Sequence, residues 1–140
     1  MSTEENKAIF HRIYEEFLNQ GNVDVADELF VTNYVNHTIP PGQPQGLEGQ
    51  KQFIATFRTA FPDVQFTIED MIAEGDKMVG RVTFRGTHTG ELMGIHPTGK
   101  KVTVEGIDII RFADGKAVEN WYSGDTLGLM QQLGAVPTLG

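Results

Sequence analysis

The feature that most constrains this chain is a change of period. Up to Phe61, apolar side chains recur at helical spacing; from Val64 to Tyr122 they recur at every second position. A helix repeats its faces every ~3.6 residues and a strand every two, so the two stretches call for different backbones. In the first stretch Ser2 and Glu5 form a capping box ahead of Phe10, Ile13, Tyr14, Phe17 and Leu18, and Gly21 ends that helix. A short helix fits Val23 to Phe30 with Asn22 as its cap. "YVNHTIP" (34–40) reads as a short strand or bend and "PPGQPQG" (40–46) as a loop. A third helix carries Phe53, Ile54, Phe57 and Phe61 on one stripe, and Pro62 stops it.

The second stretch predicts a strand through Val64, Phe66 and Ile68, a turn at "EGD" (74–76), and a long strand from Met78 to His88. Strands from Val102 to Phe112 and from Ala117 to Tyr122 follow, with a tail helix from Thr126 to Gly134 capped by Asp125. Helices followed by long hairpins give an α+β fold, in which helices sit on one face of a curved sheet. Such a sheet encloses a cone whose mouth is a natural pocket.

Charge and cysteine usage exclude several classes. The 140 residues are 39% hydrophobic and 21% charged, ordinary values for a single globular domain over 1–140. Net charge is −8 with only 11 Lys and Arg, which leaves no electrostatic footprint for nucleic acid or an anionic membrane. Cysteine is absent, so disulfides, thiolate catalysis and Cys-ligated zinc are excluded; this fits a reducing, cytoplasmic setting. The polar, acidic N-terminus lacks the apolar core of a signal peptide, which makes the sequon at Asn36 incidental.

One carboxylate stands out. In "EGIDIIRF" (105–112), Asp108 shares a strand face with Gly106, Ile110 and Phe112. A charge among apolar neighbours must be paired or perturbed. Which residues meet it depends on the turn in "FADGKAV". A two-residue Asp114-Gly115 loop puts Asp108 opposite Trp121. A three-residue loop, Ala113 to Gly115 with Gly115 left-handed, puts it opposite Asn120, Gly106 opposite Tyr122, and Arg111 opposite Ala117 with Glu119 diagonal. Turn chemistry permits both. The second is favoured, because it gathers polar Asp108, Asn120 and Tyr122 on one face. It leaves Ile107, Ile109 and Trp121 on the other, where a second subunit would cover them.

Other candidates carry weaker signals. One of Asn36 and His37 should face the cone by alternation. His88, on the face of Val82 and Phe84, could reach it; with Glu91 and His96 it matches no metal spacing. "GIHPTGKK" (94–101) mimics a phosphate loop but has Lys101 where Ser or Thr is required, and strand rather than helix follows.

The segments "YVNH", "AFPD", "EGD", "GTHTGELMGIHPTGK", "RFADGK", "ENW" and "LGLMQQLG", in this order over nearly the whole chain, resemble the SnoaL-like polyketide cyclases of the nuclear transport factor 2-like superfamily. The resemblance implies a cone-shaped α+β barrel of antiparallel and mixed sheet closed by three N-terminal helices. It also implies a homodimer formed through the convex sheet face, with no cofactor and no metal. The family's type reaction is an intramolecular aldol ring closure of an aromatic polyketide methyl ester. Carried over by position, the family's pocket asparagine is Asn36, its glutamine position is Gly106 and its histidine position is Asp108. Its catalytic aspartate position, after Trp121, is Tyr122. A carboxylate thus stands across the hairpin from the usual place. The expectation is a small hydrophobic carbonyl compound in an enclosed pocket, with Asp108 and Tyr122 catalytic and Asn36, His88, Gly106, Asn120 and Phe17 lining it. Rival expectations are a non-catalytic binding protein and an epoxide-hydrolase-like enzyme; Arg111 has the wrong parity to assist Asp108 in the latter.

Overall fold

The computed structural model describes residues 2–40, 42–92 and 94–136. Pro41 and Met93, within the two expected loops, and the tail from Pro137 lie outside the described residues. The elements are α1 (Thr3–Arg12), continued by a π-helical stretch (Ile13–Asn19), a 3₁₀ turn (Val23–Val25) running into α2 (Ala26–Leu29), β1 (Phe30–Asn36) and α3 (Gly46–Ala60). Then come β2 (Gln65–Glu74), β3 (Lys77–Thr87), β4 (Lys101–Ala113), β5 (Lys116–Gly124) and α4 (Thr126–Leu133). The sheet order is β1-β5-β4-β3-β2, antiparallel except for the parallel β1–β5 pair. It is α+β as expected, with one departure: the sheet is open, and β1 and β2 are its two edges.

The caps follow the sequence. Ser2 Oγ accepts from the Glu5 N–H, Asn22 Oδ1 from Asp24, and Asp125 Oδ1 from Gly128. Each satisfies a donor that a helix start leaves free. The π-helical stretch was not expected; apolar spacing cannot separate a widened turn from a regular one. Its end is braced from two sides. Arg58 of α3 donates to the Leu18 and Asn19 carbonyls, and the Asn19 carboxamide pairs with the backbone of Phe66 at the start of β2.

β4 alternates buried and accessible residues along its length, and its buried side is Val102, Val104, Gly106, Asp108, Ile110 and Phe112. That concave face packs under α1, the π-helical stretch and α3. One core is built from Phe10, Phe17, Phe30, Ile54, Met78 and Ile110, and a second from Phe61, Phe84, Val102 and Leu129. Phe53 of the expected α3 stripe is 36% exposed; Ile54 and Phe61 carry the burial.

The β4–β5 hairpin has neither expected register. Ala113 pairs with Lys116 across a two-residue turn, with Asp114 at φ +50° and Gly115 at φ +84°. Two left-handed residues in succession are the signature of a type I′ turn. Phe112 pairs with Ala117, but Arg111 pairs with Glu119, so Val118 is an extra residue, a bulge. Beyond it Asp108 faces Tyr122, Ile110 faces Asn120 and Gly106 faces Gly124. The bulge shifts the two-residue register by one place, which restores the side-chain parity of the three-residue register. Asp108, Asn120 and Tyr122 therefore share the concave face, for a different reason than the turn suggested.

Candidate active site

Asp108 sits mid-strand with Gly80 of β3 on one flank and Tyr122 of β5 on the other. It is 5% exposed, and both carboxylate oxygens are engaged. The Tyr14 hydroxyl donates to Oδ2 at 2.7 Å and the Asn120 carboxamide nitrogen donates to Oδ1 at 3.1 Å. The Tyr34 hydroxyl in turn donates to Asn120 Oδ1 at 2.8 Å. Burial pushes the Asp108 carboxyl up to about 6, against the pull of the Tyr14 and Asn120 hydrogen bonds, which favour the anion. Burial, then the nearby Asp108 charge, pushes the Tyr14, Tyr34 and Tyr122 phenols up. The chain has three tyrosines, and all three gather at this one acid.

Glycines make the room. A Cβ on Gly80 would fall 2.4 Å from the ring tip of Phe10, and one on Gly106 would fall 2.2 Å from the Tyr122 hydroxyl oxygen. The Tyr122 ring lies over the Gly106–Gly124 pair, half-buried. Gly106 thus bears on the site through the space it leaves for Tyr122.

The remaining candidates are placed elsewhere. Asn36 is beside Asn120 on the concave face, but its carboxamide donates to Gln50 and accepts from the Thr38 N–H. It ties β1 to α3 and to the loop after β1. Phe17 is fully buried against Phe30. His88 lies eight residues along the β3 direction from Gly80, about 26 Å at strand spacing, and packs against Phe61. The Thr98 N–H donates to its Nδ1, and its Nε2 is buried without a partner among the described residues. Among the described residues no cluster of His, Asp and Glu is arranged to hold a metal ion. Arg111 is on the convex face, where its Nε donates to Glu119 at 2.7 Å; His37 also binds Glu119 and stacks on Trp121. The direct Arg111–Glu119 pair replaces the expected diagonal one because of the Val118 bulge.

Sequence reasoning missed Tyr14 and Tyr34. Tyr14 fell on the apolar stripe of a helix and was indistinguishable from core. Its one signal was a phenol that, once buried, needs a partner.

What this arrangement can do is proton transfer: a desolvated carboxyl near neutrality, oriented by two donors, beside a phenol over a glycine pair. The chain matches the family described as SnoaL-like polyketide cyclase over residues 8–133. It is 29% identical to the nogalonic acid methyl ester cyclase of Streptomyces nogalater over 118 residues, covering 83% of this chain and 88% of that protein. It is 30% identical to the aklanonic acid methyl ester cyclase DauD of Streptomyces sp. strain C5 over 123 residues, 85% of this chain and 76% of that one. The structure of TsrD from Streptomyces laurentii superposes with a TM-score of 0.89 at 29% identity, over 97% of this chain and 99% of that one.

Proposed function

The chain belongs to the SnoaL-like polyketide cyclase family, and from that membership we propose that it closes a ring in a small hydrophobic carbonyl compound by acid–base chemistry at Asp108. The observation that carries the reading is a buried carboxyl on the concave face, raised to about 6 and held by two donors. Its ionised form takes a proton from the carbon next to a carbonyl. The C–H electron pair becomes the enolate, and the Tyr122 hydroxyl donates a hydrogen bond to the enolate oxygen. The enolate carbon forms a bond to a second carbonyl of the same molecule. The resulting alkoxide takes that proton from Asp108, so the carboxylate is regenerated and no co-reactant is consumed.

The substrates in the relatives' names set the first assay. Nogalonic or aklanonic acid methyl ester is incubated with the wild type and with Asp108→Asn, and ring closure is followed by chromatography. Turnover that falls at least ~100-fold in the variant supports the reading; wild-type turnover in Asp108→Asn ends it. A second reading, a binding protein of the same fold, is favoured by the full engagement of both Asp108 oxygens and by Tyr122 at the family's aspartate position. It predicts ligand binding with no conversion at any pH. The proposal includes a homodimer through the convex face, where Val35, Ile107 and Trp121 are exposed.

A further inference from the structure

We propose that Tyr34 is a positioning residue for Asp108, acting through Asn120 and touching neither the acid nor the substrate. A carboxamide is nearly symmetric in shape, and its two ends have opposite hydrogen-bonding roles. The end that meets Asp108 decides what the acid experiences. With the nitrogen inward, Asn120 donates to a carboxylate. With the oxygen inward, it repels the anion and accepts only from the protonated acid.

Tyr34 biases that choice. A phenol can also accept, but the Tyr34 proton has no other acceptor among the described residues, so its hydroxyl donates to Asn120 Oδ1 at 2.8 Å and leaves the nitrogen to face Asp108 Oδ1 at 3.1 Å. Tyr34 is 2% exposed and Asn120 7% exposed, so water is a poor substitute for either partner. The Tyr34 ring is itself fixed edge-on against Phe30, with centroids 4.8 Å apart. β1 and β5 run parallel here, with Asn36 paired to Asn120, so the chain of donors runs across the sheet from its edge strand to the acid. The titratable groups gathered at Asp108 are Tyr14 from the π-helical stretch, Tyr34 from β1 and Tyr122 from β5; β3 presents Gly80. All three phenols are pushed up and remain protonated near neutral pH, so Asp108 keeps its ionised form by hydrogen bonds of fixed direction.

The inference rests on the reading of Asp108 as the working base, and the two fail separately. The test is the titration of Asp108 in the full chain, followed by the NMR shift of its carboxyl carbon. Wild type is expected near 6, and Tyr34→Phe roughly one pH unit higher, with the acid limb of kcat/KM moving by the same amount. Asn120→Ala removes the route, so adding Tyr34→Phe to it should move the midpoint no further. A Tyr34→Phe midpoint equal to wild type overturns the positioning role, whatever turnover does. So does an equal increment in the Asn120→Ala background, which would mean that Tyr34 acts without Asn120. If Tyr34→Phe alone does not fold, the Asn120→Ala midpoint decides: a value roughly one pH unit above wild type, unchanged on adding Tyr34→Phe, is the expected result, and a value equal to wild type overturns a role exerted through Asn120. Wild-type turnover in Asp108→Asn overturns the base reading and leaves this test untouched.

Discussion

Asp108 is stabilised by neutral donors, a phenol and a carboxamide, and burial outweighs them. Its carboxyl titrates near 6 in the folded chain against 3.8 in water. Between those values the folded state binds more protons than the unfolded one, so stability falls as pH rises through this window and stays lower above it. The difference is on the order of 3 kcal/mol. Asp108→Asn should remove this loss: the gain in unfolding free energy over wild type should be largest at pH 8 and shrink toward pH 4, as measured by denaturant titration at each pH. Parallel profiles would contradict it. Gly106→Ala places a methyl group against the Tyr122 ring. Because Tyr122 is half-buried, the ring should swing outward at a cost of about 1–3 kcal/mol, with turnover lost more completely than stability and Tyr122 displaced in a crystal structure. The sequence made the acid visible, and alternation placed Asn120 and Tyr122 beside it. It could not reveal Tyr14 or Tyr34, which lie 94 residues from Asp108 and 86 from Asn120. Nothing local distinguishes a phenol reaching a distant acid from one filling a core.

At the scale of elements, Val118 decides the most. The type I′ turn alone would carry Asp108 opposite Trp121 and send Tyr122 and Asn120 to the convex face. One unpaired residue in β5 reverses that, and both Ala117 and Asn120 then face inward. Deleting Val118 should therefore turn the bulge into a regular ladder with the same pairs, Phe112 with Ala117, Arg111 with Glu119 and Asp108 with Tyr122. The Asp108 titration and a cooperative thermal transition should both survive; burial of Trp121, seen as a blue shift of its emission, would contradict it. The sequence showed the turn and the strands but not the bulge, because a bulge depends on how β5 meets both β4 and β1. A second element seals an edge. Beyond Gly106, β4 is no longer paired with β5, and α4 covers it instead: the Gln132 side chain accepts from the Thr103 N–H and donates to its carbonyl, as a neighbouring strand would. Gln132→Ala should speed amide exchange at Thr103 by about tenfold, with other β4 amides unchanged, since Thr103 is exposed and water can replace the lost bond.

Over the whole molecule, the concave face is closed by helices and the convex face is not. Val35, Ile107 and Trp121 leave apolar surface beside the Arg111–Glu119–His37 cluster. If a second copy covers it, light scattering should give twice the chain mass, and Ile107→Lys should halve it while leaving the Asp108 titration in place; a monomeric wild type would rule the dimer out. The two faces also carry different chromophores. The three phenols surround Asp108, and the single indole of Trp121 stands on the outside of the sheet, stacked on His37. Near-ultraviolet absorbance and dichroism from tyrosine therefore report on ligand and proton traffic at the buried acid, while indole emission reports on whatever meets the outer face. The unlabelled protein is a two-channel optical probe of itself, with the thickness of one sheet between the channels.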